Sequence, residues 1–244
     1  MDTASEGRDE GAIPVCRHAH DRPRVLRITT RFRGSDHADD LIRSTEALRA
    51  RGFDTRLVWG GSSDDAGSGA TGDPPPGIAH TYLPWLGQEV HPGDDLRAAS
   101  AIAGIVRRWK PDVVHTHLAK AGALGRLVAI RARVPVVIHT FHERAWRDDR
   151  SALRTTTFTS IERRLAGRTD ALTTGSAWMR DELLALGIGR PAQWHVVPAG
   201  EDPSDLVALY ERLLQRSLGA RAASTLPSVS ARPEQAAPAA LPGM

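Results

Sequence analysis

The run Lys110-Pro-Asp-Val-Val-His-Thr-His-Leu-Ala-Lys-Ala-Gly-Ala-Leu-Gly-Arg126 constrains the fold more than any other part of this 244-residue chain. A short apolar strand, Val113-Val114, runs into His115-Thr116-His117. A helical pattern begins at once, with Ala121, Leu124, Leu127, Val128 and Ile130 at helical spacing. The next unit repeats the design: Val134-Pro-Val-Val-Ile138 reads as a buried strand, with His139-Thr-Phe-His142 at its end. Two strand–helix units that put polar groups at strand carboxyl ends describe an open α/β sheet. In such sheets ligands bind in the crevice outside those ends.

The rest of the chain extends the alternation. Val25, Leu26 and Ile28 form a first strand, and a helix is expected from about His37 to Arg51, stopped by Gly52. Phe53 to Trp59 is a second strand. The stretch 60–77 is rich in Gly, Ser, Asp and Pro and reads as a surface loop. A third strand is expected over 78–83, and a helix from Asp94 or Asp95 to Trp109, where Pro111 forces an exit. Then follow a basic helix over 151–167, a strand over 170–174, a helix over 176–187 capped by Ser176, a strand over 194–197 and a final helix over 203–218. Residues 1–22 are charged and poor in large apolar groups, and 219–244 are rich in Ala, Pro and Ser. Both are expected to be disordered. Strands alternating with helices imply one doubly wound, mainly parallel sheet with helices on both faces.

Composition narrows the function classes. Net charge is +3, and Lys110 and Lys120 are the only lysines, so the basic side is arginine. With aromatic residues at 5% there is no basis for base-stacking platforms, and no nucleic-acid partner is expected. The one cysteine, Cys16, excludes an internal disulfide. No stretch approaches the ~18 apolar residues of a membrane span. A cytoplasmic protein is expected, or one held peripherally at the inner membrane face.

Three stretches together resemble the acceptor-side, N-terminal domain of family 4 glycosyltransferases. These are retaining enzymes of the two-domain GT-B type. The stretches are RVLRITTRFRGSDHADDLIRSTEALRARGFDTRLVWG, KPDVVHTHLAKAGALGRLVAIRARVPVVIHTFHE and TDALTTGSAWMRDELLALGIGRPAQWHVVPAG, within residues 23–200. The resemblance implies a Rossmann-like sheet, half of a GT-B fold. It also implies sugar transfer from a nucleotide-sugar donor to a sugar acceptor, lipid-linked in many members. The donor-binding second domain is not expected here. Val197-Pro-Ala-Gly200 resembles the junction where it would begin, and residues 201–218 resemble the helix with which it ends. A separate donor-domain chain is therefore an expected partner. The alternative is a non-catalytic remnant that binds an acceptor or a partner.

The resemblance assigns His142 a catalytic place in the cleft, after Thr140-Phe141, with Glu143 where the family commonly has glycine. Gly34 and Ser35, in the loop after the first strand, stand where backbone N–H groups approach phosphate. His117 and Lys120 are expected to line the acceptor side, and His115 shares a strand face with His117. Together with His139, these histidines raise the question of a metal. They lack cysteine and the HExxH spacing, so neither a metal nor another cofactor is expected. The arginines of 144–168 lie near Leu153, Phe158, Ile161 and Leu165. They describe either a solvated helix face or a helix lying on anionic lipid.

Overall fold

The computed structural model describes residues 22–31, 38–61, 74, 77–142 and 152–225, except for the side chains of 152–155 and 221–225. In order these form β1 (Arg24–Thr29), α1 (Ala38–Ala50), β2 (Asp54–Trp59), β3 (Ala79–Tyr82), α2 (Pro92–Trp109), β4 (Val113–His117) and α3 (Ala119–Arg131). Then come β5 (Val136–Phe141), α4 (Ala152–Ala166), β6 (Ala171–Thr174), α5 (Ala177–Ala185), β7 (Trp194–Val196) and α6 (Ser204–Thr225). The strands make one parallel sheet of order β3-β2-β1-β4-β5-β6-β7. The chain runs outward from β1 to β3, then returns through α2 to place β4 beside β1. The order therefore reverses between β1 and β4, and this topological switch point opens a crevice at their carboxyl ends.

Strand alternation sorts the side chains between two faces. Leu26, Ile28, Val114 and Val137 pack under α2 and α3 with Ile102, Val106, Ala121 and Ala129. Val25, Val113, Val136, Ile138 and Ala171 face the other way. They meet Leu48 of α1 and Leu206, Val207, Leu209, Tyr210, Leu213 and Leu214 of α6. Phe141 and Leu172 join Met179, Leu183 and Trp194 in a third cluster under α5. The helix α3 lies very close to the sheet because Gly122 and Gly125 face it. A Cβ at Gly122 would stand 2.4 Å from His139 Cε1, and one at Gly125 would stand 2.7 Å from Thr116 Cγ2. A buried ion pair ties α3 to α4: Arg126 Nη2 donates to both carboxylate oxygens of Glu162 at 2.6 and 2.7 Å, and Arg126 Nε donates to Gly122 O at 2.9 Å.

Several elements differ from expectation. His139 to Phe141 lie inside β5, because that strand continues beyond its apolar stretch, as β4 does through His115 and His117. Ladder pairing to neighbouring strands satisfies that backbone whatever the side chain. The helix α2 begins at Pro92, which occupies the first turn at no hydrogen-bond cost. It ends at Lys110 in the left-handed region, φ 50°. The final helix reaches Thr225, past the expected stop at 218. Its last stretch, Gly219-Ala-Arg-Ala-Ala223, is mostly strong helix formers. Residues 1–21 and 226–244, expected to be disordered, lie outside the described residues.

Candidate functional site

Along the α1/α6 face the sheet changes character halfway up its strands. The lower half is Val25, Val113, Val136 and Ala171; the upper half is Arg27, His115, His117, Thr140 and Thr173. The register sets Arg27 beside His115, His117 beside Thr140, and Thr140 beside Thr173. This polar band floors a pocket of about 90 Å³ at the strand carboxyl ends. Asp40, Leu41, Arg43 and Ser44 of α1, His142, Gly175 and the connection 197–203 complete it. That connection is clasped to α1: Asp40 Oδ1 accepts from Gly200 N at 3.0 Å and from Arg43, and Arg43 Nη1 donates to Gly200 O at 2.9 Å.

Two hydrogen-bond chains organise the band. Tyr210, projecting from α6, places its hydroxyl 2.5 Å from His115 Nδ1. His115 Nε2 lies 2.7 Å from Thr140 Oγ1, which lies 2.6 Å from Thr173 Oγ1. Burial pushes the Tyr210 phenol up to about 12, against the opposing field of Arg27. Burial, then the fields of Arg27 and His142, hold His115 well below the usual imidazole range. This chain is therefore neutral throughout.

The second chain starts from a permanent charge. Arg27 Nη2 stands 3.3 Å from His117 Nε2, and a guanidinium can only donate. His117 Nε2 is then the acceptor, so the ring proton sits on Nδ1, 3.3 Å from His142 Nε2. His142 in turn accepts at Nε2 and carries its own proton on Nδ1. The rings stack, with centroids 4.3 Å apart for His115–His117 and 5.6 Å for His117–His142. Chemically, His142 is oriented through one neighbour, His117, by a cation that stays charged.

The structure brings together His117 and His142 of the sequence-expected site residues. Lys120 is turned to α2, where Nζ lies 2.5 Å from Asp95 Oδ1 and donates to Glu89 O; it does not line this pocket. Gly34, Ser35 and Glu143 lie outside the described residues. His139 faces the opposite way, hydrogen-bonded to Thr116 Oγ1 at 2.9 Å, so the histidines do not converge. Among the described residues no group of three His, Cys, Asp or Glu could hold a metal ion. Leu118, between β4 and α3, takes φ 65° and ψ 159°, a conformation that costs a non-glycine residue on the order of 1–3 kcal/mol. Sequence reasoning missed Arg27, Arg43, Thr140, Thr173 and Tyr210. For Arg27 a signal existed: it interrupts the otherwise apolar Val25-Leu26-Arg27-Ile28.

A model of the glycosyl transferase 4-like domain matches residues 42–200. Over 61 residues the chain is 36% identical to the Escherichia coli enzyme UDP-Gal:alpha-D-GlcNAc-diphosphoundecaprenol alpha-1,3-galactosyltransferase; this covers 25% of the chain and 16% of that enzyme. A solved chain of sucrose-phosphate synthase from Thermosynechococcus elongatus superposes with a TM-score of 0.56 at 15% identity, covering 79% of this chain and 98% of that one. The UDP-N-acetylglucosamine 2-epimerase from Rickettsia bellii superposes with a TM-score of 0.50 at 12% identity, covering 80% of this chain and 48% of the epimerase. The chain thus spans about half the length of the epimerase, and its matched stretch spans a small part of the galactosyltransferase.

Proposed function

This chain belongs to the glycosyl transferase 4-like family, and from that premise we propose that its pocket is the acceptor side of a sugar-transfer site. One observation carries the reading. The family match over 42–200 takes in most of the pocket at the switch point, His115, His117, Thr140 and His142 among its lining, and Arg27 orients His142 through His117. The donor substrate is a nucleotide sugar, and the acceptor is a sugar carried on a diphosphate, as in the name of the Escherichia coli relative. His142 Nδ1–H supplies a hydrogen bond to an oxygen at the reacting centre, where charge develops. His117 fixes the ring that does so. Lys120, through Asp95, holds the first turn of α3 against α2 beside the cleft. Gly34, Ser35 and Glu143, which follow β1 and β5 in sequence, are proposed to contact substrate.

The described residues build one wall of the cleft, since the connection 197–203 passes directly from β7 to α6. Transfer between two substrates needs both held together, so a second wall is required, from a partner chain or from residues outside those described. No helix among the described residues is long and apolar enough to cross a membrane. A lipid-linked acceptor would be met peripherally, with the arginines of α4 toward anionic headgroups.

The test is titration of the purified chain with a GlcNAc-diphosphate acceptor, alongside an assay for transfer from UDP-hexoses. Binding without turnover is expected. His142→Ala should weaken binding about tenfold, the value of one lost hydrogen bond, with an unchanged melting temperature. Turnover by the chain alone at ordinary enzymatic rates would overturn the one-wall reading. Absence of binding would overturn the acceptor reading.

A further inference from the structure

Arg27 has a buried charge and an unfinished set of hydrogen bonds. It sits in the middle of β1, 1% exposed, on the floor of the pocket. Its Nη1 donates to Leu41 O, Ser44 Oγ and Thr45 Oγ1 at 3.1, 2.7 and 2.9 Å, and Nη2 donates to His117 Nε2. Each of these partners is neutral. Its Nε–H is buried and meets no acceptor. With five N–H groups available, a second Nη2–H is also unspent. Among the described residues no carboxylate pairs with this guanidinium, and burial lowers its affinity for its proton without neutralising it.

The two carboxylates on the pocket wall do not fill the gap. Asp40 spends Oδ1 on Arg43 and Gly200 N, across the mouth. Glu201 is exposed and belongs to the connection beyond Gly200. The other polar side chains of the lining are Arg43, the three imidazoles His115, His117 and His142, and the hydroxyls of Ser44, Thr140 and Thr173; apolar residues such as Leu41, Val197 and Leu206 complete it. A desolvated cation with no counter-charge is several kcal/mol less favourable than a paired one. A space of about 90 Å³ beside it has room for a small polyatomic group.

We propose that the pocket floor is an oxyanion-binding subsite in which Arg27 Nε–H and Nη2–H hold a phosphoryl or carboxylate group of the ligand. The guanidinium fork matches two oxygens on one centre, which a single chloride or a neutral hydroxyl does not. The subsite shares its pocket with the transferase reading but not its chemistry, because an oxyanion would bind here even if no sugar were transferred. It also gives the Arg27–His117–His142 chain a second consequence: a bound anion and His142 are linked through one cation and one imidazole.

The experiment is calorimetric titration of the full chain with sodium phosphate and, separately, sodium acetate, at constant ionic strength set by sodium chloride. One saturable site per chain is expected, with a melting temperature that rises with the same anion. Tighter binding of phosphate assigns the ligand group as phosphoryl; tighter binding of acetate assigns it as carboxylate. Arg27→Lys keeps the charge without the fork and should weaken binding at least tenfold; Arg27→Met should abolish it. If Arg27→Met does not fold, Arg27→Lys decides alone. No saturable response of the wild type beyond chloride would overturn the proposal. So would variants that bind as the wild type does.

Discussion

Two arginines are buried on opposite sides of this sheet, and they are treated in opposite ways. Arg126, on α3, has a carboxylate partner in Glu162, with side chains 0% and 1% exposed, although its own buried Nη1 meets no acceptor. Arg27, under α1, has hydroxyls, a carbonyl and an imidazole, and among the described residues no carboxylate. The first is a charge-paired arrangement that joins two helices. The second is an open one at the switch point, where the fold places ligands. A buried cation left without its counter-charge adds nothing to stability, so its presence is better accounted for by what it binds than by what it holds together.

The sharpest way to break this contrast is to remove one partner on each side. Glu162→Ala strands the Arg126 guanidinium and should lower stability by about 3–5 kcal/mol, as measured by chemical denaturation. Arg27→Met removes a charge that had no partner. Ser44 Oγ and Thr45 Oγ1 still donate to Asp40 O and Leu41 O, so the cost should stay within about 1 kcal/mol. Equal large losses in both variants would end the distinction.

Acid should act on both faces together. His115 on one face and His139 on the other are held well below the usual imidazole range, in both cases chiefly by burial. For His139 the fields of Arg126, His115 and His142 add to this, against a hydrogen bond to Thr116. A base with a depressed folded pKa is neutral when folded and takes up its proton when unfolded. Its contribution is complete above the unfolded value near 6.5 and is lost as pH falls below it. Each ring should then cost up to about 1.4 kcal/mol per pH unit. Asp170 is shifted the other way: burial raises it, so its contribution is lost as pH rises through its folded value. Denaturation midpoints between pH 7 and 5 should show the histidine slope. His139→Asn and His115→Asn should each remove a large part of it, the remainder coming from His195, which burial and then the fields of Arg212 and Arg216 also lower.

A local effect is expected at Tyr210. Its replacement by Phe leaves His115 Nδ1 without its partner and should cost about 1–2 kcal/mol, against no change at Glu162. Sugar-acceptor affinity should fall with it only if α6 orients the band. A drop in stability with unchanged affinity would confine Tyr210 to packing.

Local sequence determined the architecture and the place of the site. The apolar runs of β4 and β5, each followed by a helical period, were enough for a parallel sheet with polar carboxyl ends, because burial on both faces leaves a continuous apolar signature. Ser176 was legible as a helix cap and accepts from Met179 N, since capping depends on neighbours in sequence. His117 and His142 were legible by position. What the sequence did not carry was which groups share a face. His115, His139 and His142 look like one cluster in the chain, yet strand alternation and register send His139 to the far side. Arg27, 90 residues from His117, enters the site only because β1 lies beside β4. Tyr210, 95 residues from His115, enters only because α6 folds back onto the same sheet. Local pattern sets the elements, because hydrogen bonds and burial periods act over a few residues. Only packing sets which side chains meet and which cation is left unpaired, because those depend on the crossover that reversed the strand order.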